Sequence, residues 1–184
     1  LQTQNVEPDL EGWPRIFDGK TLDGWKISDG GEWKVEKGQI VGRGGVSHLF
    51  SPQSDLKDFE VRGWFKINAR GNSGLYVRAA FGSGWPAGYE AQINSTYKDP
   101  VKTGSLYNHE LVKSTLVPAN MWFKYHVQVR DEKEGTRITI RVNDVITVDH
   151  VDRERKHAMG HVAIQQHHAG SEIRARDLEI RPLK

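Results

Sequence analysis

Glu90, Gln92 and Asn94 occupy alternate positions in Tyr89-Glu90-Ala91-Gln92-Ile93-Asn94, with Tyr89, Ala91 and Ile93 between them. Successive side chains of an extended chain point to opposite faces, so this stretch predicts a strand with one apolar face and one face of a carboxylate and two amides. Two other stretches split in the same way. Over residues 74–78, Leu75 and Val77 alternate with Gly74, Tyr76 and Arg78; over 160–167, Val162 and Ile164 alternate with Ala163, Gln165 and His167. If these strands line one concave sheet, a single surface collects Glu90, Gln92, Tyr76, Arg78, Gln165 and His167, and Gly74 and Ala163 leave space above it. Convergent amide, guanidinium, phenol and imidazole groups suit a hydroxyl-rich ligand. Glu90 or His167 could act on such a ligand as base or acid.

Other residues could complete the surface. Trp85, in Gly82-Ser83-Gly84-Trp85-Pro86 beside the Glu90 strand, is the expected stacking platform. Tyr107 and His109 border the least patterned segment, 98–120, which is expected to form a functional rim with a short helical turn near 109–113. Plainer roles exist for the same residues. Glu90 and Arg78 could form an ion pair on a solvated face, and His167 could be an ordinary surface histidine. His167 and His168 are expected to point to opposite faces of a strand, which disfavours shared metal ligation. Asp18 and Asp177 could hold a structural calcium, although two carboxylates alone are a thin basis. Trp13, Trp25 and Trp33 are expected to be packing residues. Asn94-Ser95-Thr96 matches a glycosylation sequon.

The elements that must position these groups are strands. Phe59, Val61, Phe65 and Ile67 share one face of 58–67, opposite Glu60, Arg62, Trp64 and Lys66. The same alternation runs through 122–130 and 136–142, joined by the charged tip Asp131-Glu132-Lys133-Glu134-Gly135, and Asn143-Asp144 turns the chain into 145–148. Further strands are expected at 33–35, 39–42, 48–50, 74–80, 89–94, 160–166 and 171–181. Short, evenly spaced strands with Gly, Asn and Asp turns predict an all-β sandwich or barrel. The 184 residues suit a single domain, 1–184, with 1–12 as a loosely ordered arm.

Composition narrows the partners. A net charge of +2 offers no basis for nucleic-acid binding, and no apolar run reaches the ~20 residues of a membrane span. With no cysteine, disulfides and thiolate metal sites do not arise. A monomer or weak homo-oligomer is expected.

Ile16-Phe17-Asp18-Gly19-Lys20-Thr21-Leu22-Asp23-Gly24-Trp25, Asp58-Phe59-Glu60-Val61, Gly71-Asn72-Ser73-Gly74-Leu75-Tyr76-Val77-Arg78 and Gly88-Tyr89-Glu90-Ala91-Gln92-Ile93 form an ordered series. It continues with Thr103-Gly104-Ser105-Leu106-Tyr107, Val142-Asn143-Asp144, Ile164-Gln165-Gln166-His167 and Arg176-Asp177-Leu178. In this order, from about Trp13 to Leu183, the chain resembles the 3-keto-disaccharide hydrolase family. The resemblance implies an all-β, two-sheet antiparallel jelly-roll sandwich of concanavalin A-like form, and cleavage of glycosides whose sugar carries a ketone at C3. Ordinary glycosidases use two carboxyl groups, and the Glu-x-Gln-x-x-Ser run at 90–95 supplies one. A C3 ketone changes the requirement, because it acidifies the C2 hydrogen and permits elimination at C1–C2 followed by hydration. Glu90, His167 and Arg78 are then the expected catalytic groups, with Arg78 on the enolate oxygen. Asn72, Tyr76, Trp85, Gln92, Tyr107, His109 and Gln165 are expected to bind substrate. No cofactor is expected. The alternative is a non-catalytic carbohydrate-binding module. A periplasmic or secreted location, with an export signal removed, is also expected.

Overall fold

The computed structural model describes residues 13–184. Ten antiparallel strands account for the architecture: β1 (Lys26–Glu36), β2 (Gln39–Phe50), β3 (Phe59–Ile67), β4 (Ser73–Ala79), β5 (Tyr89–Ile93), β6 (Phe123–Glu132), β7 (Gly135–Val142), β8 (Val145–Asp152), β9 (His161–Gln166) and β10 (Ile173–Pro182). Their hydrogen-bonded order is β5-β4-β9-β2-β10-β3-β6-β7-β8, with β1 paired to β2. The expected segments 39–42 and 48–50 are the two ends of one long strand. Ile40–Gly42 of β2 pair with β10, while Ser47–Phe50 pair with β9. The sheet therefore curls across both layers of the sandwich, and β2 belongs to each.

Alternation decides what is buried. Phe59, Val61, Phe65 and Ile67 of β3 meet Phe123, Tyr125, Val127 and Val129 of β6 in the same core as Leu75 and Val77 of β4 and Tyr89, Ala91 and Ile93 of β5. Polar bonds cross the interior as well. Tyr125 Oη donates to Gln92 O at 2.9 Å and accepts from Gly104 N at 3.2 Å, and Tyr89 Oη donates to Asp152 Oδ2 at 2.6 Å. Burial pushes the Tyr125 phenol well above its ordinary range, so it stays protonated as a donor. The tryptophans assigned to packing behave so. Trp33 is buried and donates to Ser47 Oγ at 2.9 Å, Trp25 packs on the core, and Trp13 lies beneath the guanidinium groups of Arg62 and Arg181.

The segment after β5 contains no helix. Residues 101–107 run along the free edge of β5, with Gln92 N donating to Ser105 O, Gly104 N to Gln92 O and Tyr107 N to Glu90 O. The expected helical turn is instead a tight reversal in which Leu106 bridges Glu110 around Asn108, whose φ is 63°. A left-handed residue there stops helix propagation. This covering of the edge fixes the loop to the strand that carries Glu90.

Candidate active site

On the face opposite the core, β5, β4 and β9 form the floor of a cavity of about 570 Å³. Asn72, Tyr76, Trp85, Glu90, Gln92, Tyr107, His109, Gln165 and His167 all line it. These are the expected site residues except one.

Glu90 is the centre. Gln165 Nε2 donates to Glu90 Oε1 and to Tyr76 Oη, each at 3.1 Å. The Gln92 amide, turned with its nitrogen toward the carboxylate, donates to Glu90 Oε1 at 3.2 Å and to Ser73 O at 3.1 Å. Burial pushes the Glu90 carboxyl up to about 7; hydrogen bonds from Tyr76 and Gln165 oppose that rise, and the charge of Asp99 adds to it. A carboxyl with this pKa populates both protonation states near neutrality, as a general acid or base requires. Burial and the neighbouring Glu90 carboxylate hold the Tyr76 phenol far above its usual range, so it serves as a donor.

His167 lines the same cavity. Its ring lies 5.2 Å from Trp85 and 5.5 Å from Tyr97, and its Nδ1 is 3.2 Å from His168 Nδ1. The two histidines do not occupy opposite faces, because β9 ends at Gln166 and the alternation ends with it. His168 Nδ1 also contacts Ser171 Oγ at 2.8 Å, and that hydroxyl accepts from Asn72 N at 2.9 Å. Burial, and then the His168 ring, lower the His167 pKa from its ordinary value.

Arg78 is the exception. The β4–β9 register shifts between Tyr76 and Ala79, and Arg78 itself has φ 53°. This irregularity redirects a side chain that regular alternation would have placed beside Glu90. The guanidinium is buried and donates to Lys57 O (2.8 Å), Asp58 Oδ1 (3.0 Å), Asp131 Oδ1 (3.0 Å) and His157 O (2.9 Å). It neither pairs with Glu90 nor reaches the cavity, so it cannot hold an enolate there.

Several lining groups lay beyond sequence reasoning. Asp99 brings a second carboxylate from the loop after β5, and Asn108, Lys156 and His157 come from turns with no periodic pattern. Asn94 organises the first of these loops. Its Nδ2 donates to Asp99 O at 3.0 Å and Val101 O at 2.8 Å, while its Oδ1 accepts from Tyr97 N at 2.9 Å. Asn94 is buried, so in this fold the sequon nitrogen is committed to the loop. Asp18 caps a turn through Lys20 N and Thr21 N, and Asp177 faces Arg15 and Arg176. Among the described residues, no three His, Asp or Glu side chains are grouped as a metal ion would need.

The family profile described as a 3-keto-alpha-glucoside-1,2-lyase-like domain matches residues 12–181. A Bacteroides thetaiotaomicron protein named 3-keto-disaccharide hydrolase is 32% identical over 91 residues, 43% of this chain and 31% of that protein. The matched region thus spans about a third of that relative's length. A Parabacteroides distasonis crystal structure, provisionally described as a glycosyl hydrolase, superposes with a TM-score of 0.66 at 18% identity, covering 86% of this chain and 99% of that one. The Bacillus subtilis carbohydrate-binding module CBM66 gives a TM-score of 0.61 at 19% identity over 86% and 95% of the two chains. At these identities the two structures share the fold.

Proposed function

This chain belongs to the 3-keto-alpha-glucoside-1,2-lyase-like family, and on that premise we propose that it cleaves 3-keto-glycosides, 3-keto-disaccharides among them, by elimination across C1–C2 followed by hydration. The observation that carries the proposal is the Glu90 carboxyl, poised near 7 and wrapped by Tyr76, Gln165 and Gln92 on the cavity floor. Glu90 as carboxylate takes the C2 proton. The C–H electron pair moves into C2–C3 as the C3 ketone becomes an enolate, and its return expels the C1–O pair to the departing alcohol. His167, which lines the same cavity, is the proposed route by which that oxygen gains its proton. Water then adds to the unsaturated keto-sugar, hydroxyl to C1 and hydrogen to C2. With Arg78 elsewhere, the enolate oxygen would be met by donors on the cavity rim, Lys156 and Tyr107 among them.

Incubation with 3-keto-trehalose and 3-keto-lactose beside their unoxidised parents tests this. Consumption of the oxidised sugars alone is expected; turnover of the parents, or of neither pair, overturns it. Asp99 supports a second reading, because with Glu90 it supplies the two carboxyls of ordinary glycoside hydrolysis. Cleavage of unoxidised trehalose or lactose would favour that reading. Binding of them without turnover would identify a carbohydrate-binding module.

A further inference from the structure

The open cavity does not exhaust the polar groups on this face. Register pairs Gln92 with Gly74 across β5 and β4, and Gln165 with His48 across β9 and β2. Leu75 opposite Ile164 extends the row, placing Gly74 beside Gln165. Gln92, Gly74, Gln165 and His48 therefore lie in one line across four strands, and His48 ends it.

His48 is 0% exposed, and neither of its ring nitrogens has a hydrogen-bond partner. Gln165 Oε1 is equally unpartnered, although Gln165 Nε2 serves both Tyr76 and Glu90. Buried polar atoms are costly when left in this way, so three on adjacent strands beside a cavity call for a polar partner from outside the chain. The ring of Trp85 lies 5.8 Å away, edge-on to His48, and Tyr76 flanks the imidazole at 5.5 Å. Trp85 itself is 57% exposed.

The cover is lightly fastened. Ala80 N donates to Ala87 O at 2.8 Å and closes the base of the loop, while at its tip Gly84 N donates to Asp29 Oδ2 at 3.0 Å. A methyl group added at Gly82 or Gly84 would meet nothing within 4 Å. Apart from the Phe81 ring against Phe50 at its base and the Trp85 ring against His48 and His167, the loop has little packing, and its tip belongs to the low-stability end of the molecule.

We propose that the sugar site continues beneath Trp85, where His48 and Gln165 Oε1 together bind one hydroxyl group of the sugar when the Trp85 loop lifts. The inference rests on carbohydrate being the ligand. A neutral imidazole offers one N–H and one lone pair, and Gln165 Oε1 accepts. A sugar hydroxyl can donate to Gln165 Oε1 and accept from the N–H of His48, giving partners to two of the three atoms, while Trp85 exchanges its contact with His48 for the sugar ring.

Histidine-selective NMR of the protein, titrated with trehalose and with 3-keto-trehalose, tests the subsite; the expected result is a shift of the His48 ring resonances in the wild type and in Trp85→Ala. His48→Phe, which keeps the aromatic volume, should raise KM for 3-keto-trehalose about tenfold and leave kcat within about threefold, one hydrogen-bond pair being worth ~1.4 kcal/mol. A His48 ring that stays silent at saturating sugar in both proteins, while His167 responds, overturns the subsite. If His48 responds to trehalose and 3-keto-trehalose is not cleaved, the subsite stands and the keto-sugar reaction falls. If 3-keto-trehalose is cleaved with an unchanged KM in His48→Phe, the subsite falls and the reaction stands.

Discussion

Glu90 lies directly over Gly74: a Cβ built on Gly74 would come within 2.3 Å of Glu90 Oε1 and 2.8 Å of its Cγ. Gly74 has no left-handed backbone requirement, so alanine is conformationally acceptable there and its only conflict is with the carboxylate arm. Gly74→Ala is expected to lower kcat on 3-keto-trehalose by at least tenfold and to shift the melting midpoint by less than about 4 °C, the equivalent of ~1 kcal/mol. Wild-type turnover with an unshifted midpoint would show that Glu90's position over Gly74 has no bearing on the chemistry.

Glu90 itself links activity and stability in opposite directions. Its pKa is about 7 in the folded chain against an ordinary 4.5. Below pH 4.5 the carboxyl is protonated in both folded and unfolded states. As the pH rises toward 7 the unfolded chain ionises more readily, so stability falls across that window and stays lower above it. Glu90→Gln is therefore expected to melt higher than the wild type at pH 8, with the gain shrinking at pH 4, while losing turnover. A melting series at several pH values gives the answer, and a pH-independent difference would contradict the assigned shift.

Asp99 contributes to the raised pKa of Glu90. Asp99→Asn should move the ascending limb of the kcat/KM profile to lower pH, toward the ordinary carboxylate range. An unshifted limb with a loss of turnover of a hundredfold or more would instead give Asp99 a direct role in bond cleavage.

Arg78 predicts a structural phenotype. Its guanidinium bridges Asp58 and Asp131 while filling carbonyls of Lys57 and His157. Arg78→Ala should destabilise the fold by roughly 3 kcal/mol, because it empties a buried site and leaves two partly buried carboxylates and two carbonyls without their shared partner. Burial would push the Asp131 carboxyl up, yet hydrogen bonds from Thr136 and Arg78 and the charge of Arg78 outweigh it and hold it at about 2. The Asp131 contribution is then complete above pH 4 and lost as the pH falls toward 2. Acid unfolding of the wild type should show this dependence, and Arg78→Ala should flatten it.

Alternation made much of the site legible. Glu90 and Gln92, Gly74 and Tyr76, and Ala163 and Gln165 all point away from the core side chains between them, and the structure brings these pairs together. The pattern failed where the backbone departs from a regular strand. Arg78 has a left-handed φ at a register shift, and His168 follows the end of β9. Asp99, Lys156 and His157 were out of reach for another reason: loops that depend on tertiary hydrogen bonds, such as those of Asn94, carry no periodic signal. His48 was placed on a strand, but its neighbours Gln165 and Trp85 are distant in sequence.

β2 also dictates when the site can exist. One edge pairs with β1, while along the other its first half pairs with β10 and its second half with β9, the two latest strands of the fold. During synthesis β2 has β1 and β4 has β5 close at hand, but β2 and β3 each lack one native neighbour until roughly a hundred further residues emerge, and β4 lacks β9 until about eighty do. Closing loops of that length is slow compared with forming hairpins such as β6–β7. Glu90 and Tyr76 lie in the first half of the chain, but Gln165, which holds both, arrives with β9. Assembly of the cavity floor is thus tied to the synthesis of β9, and a chain halted before β9 carries the Glu90 carboxyl without the Gln165 amide that frames it.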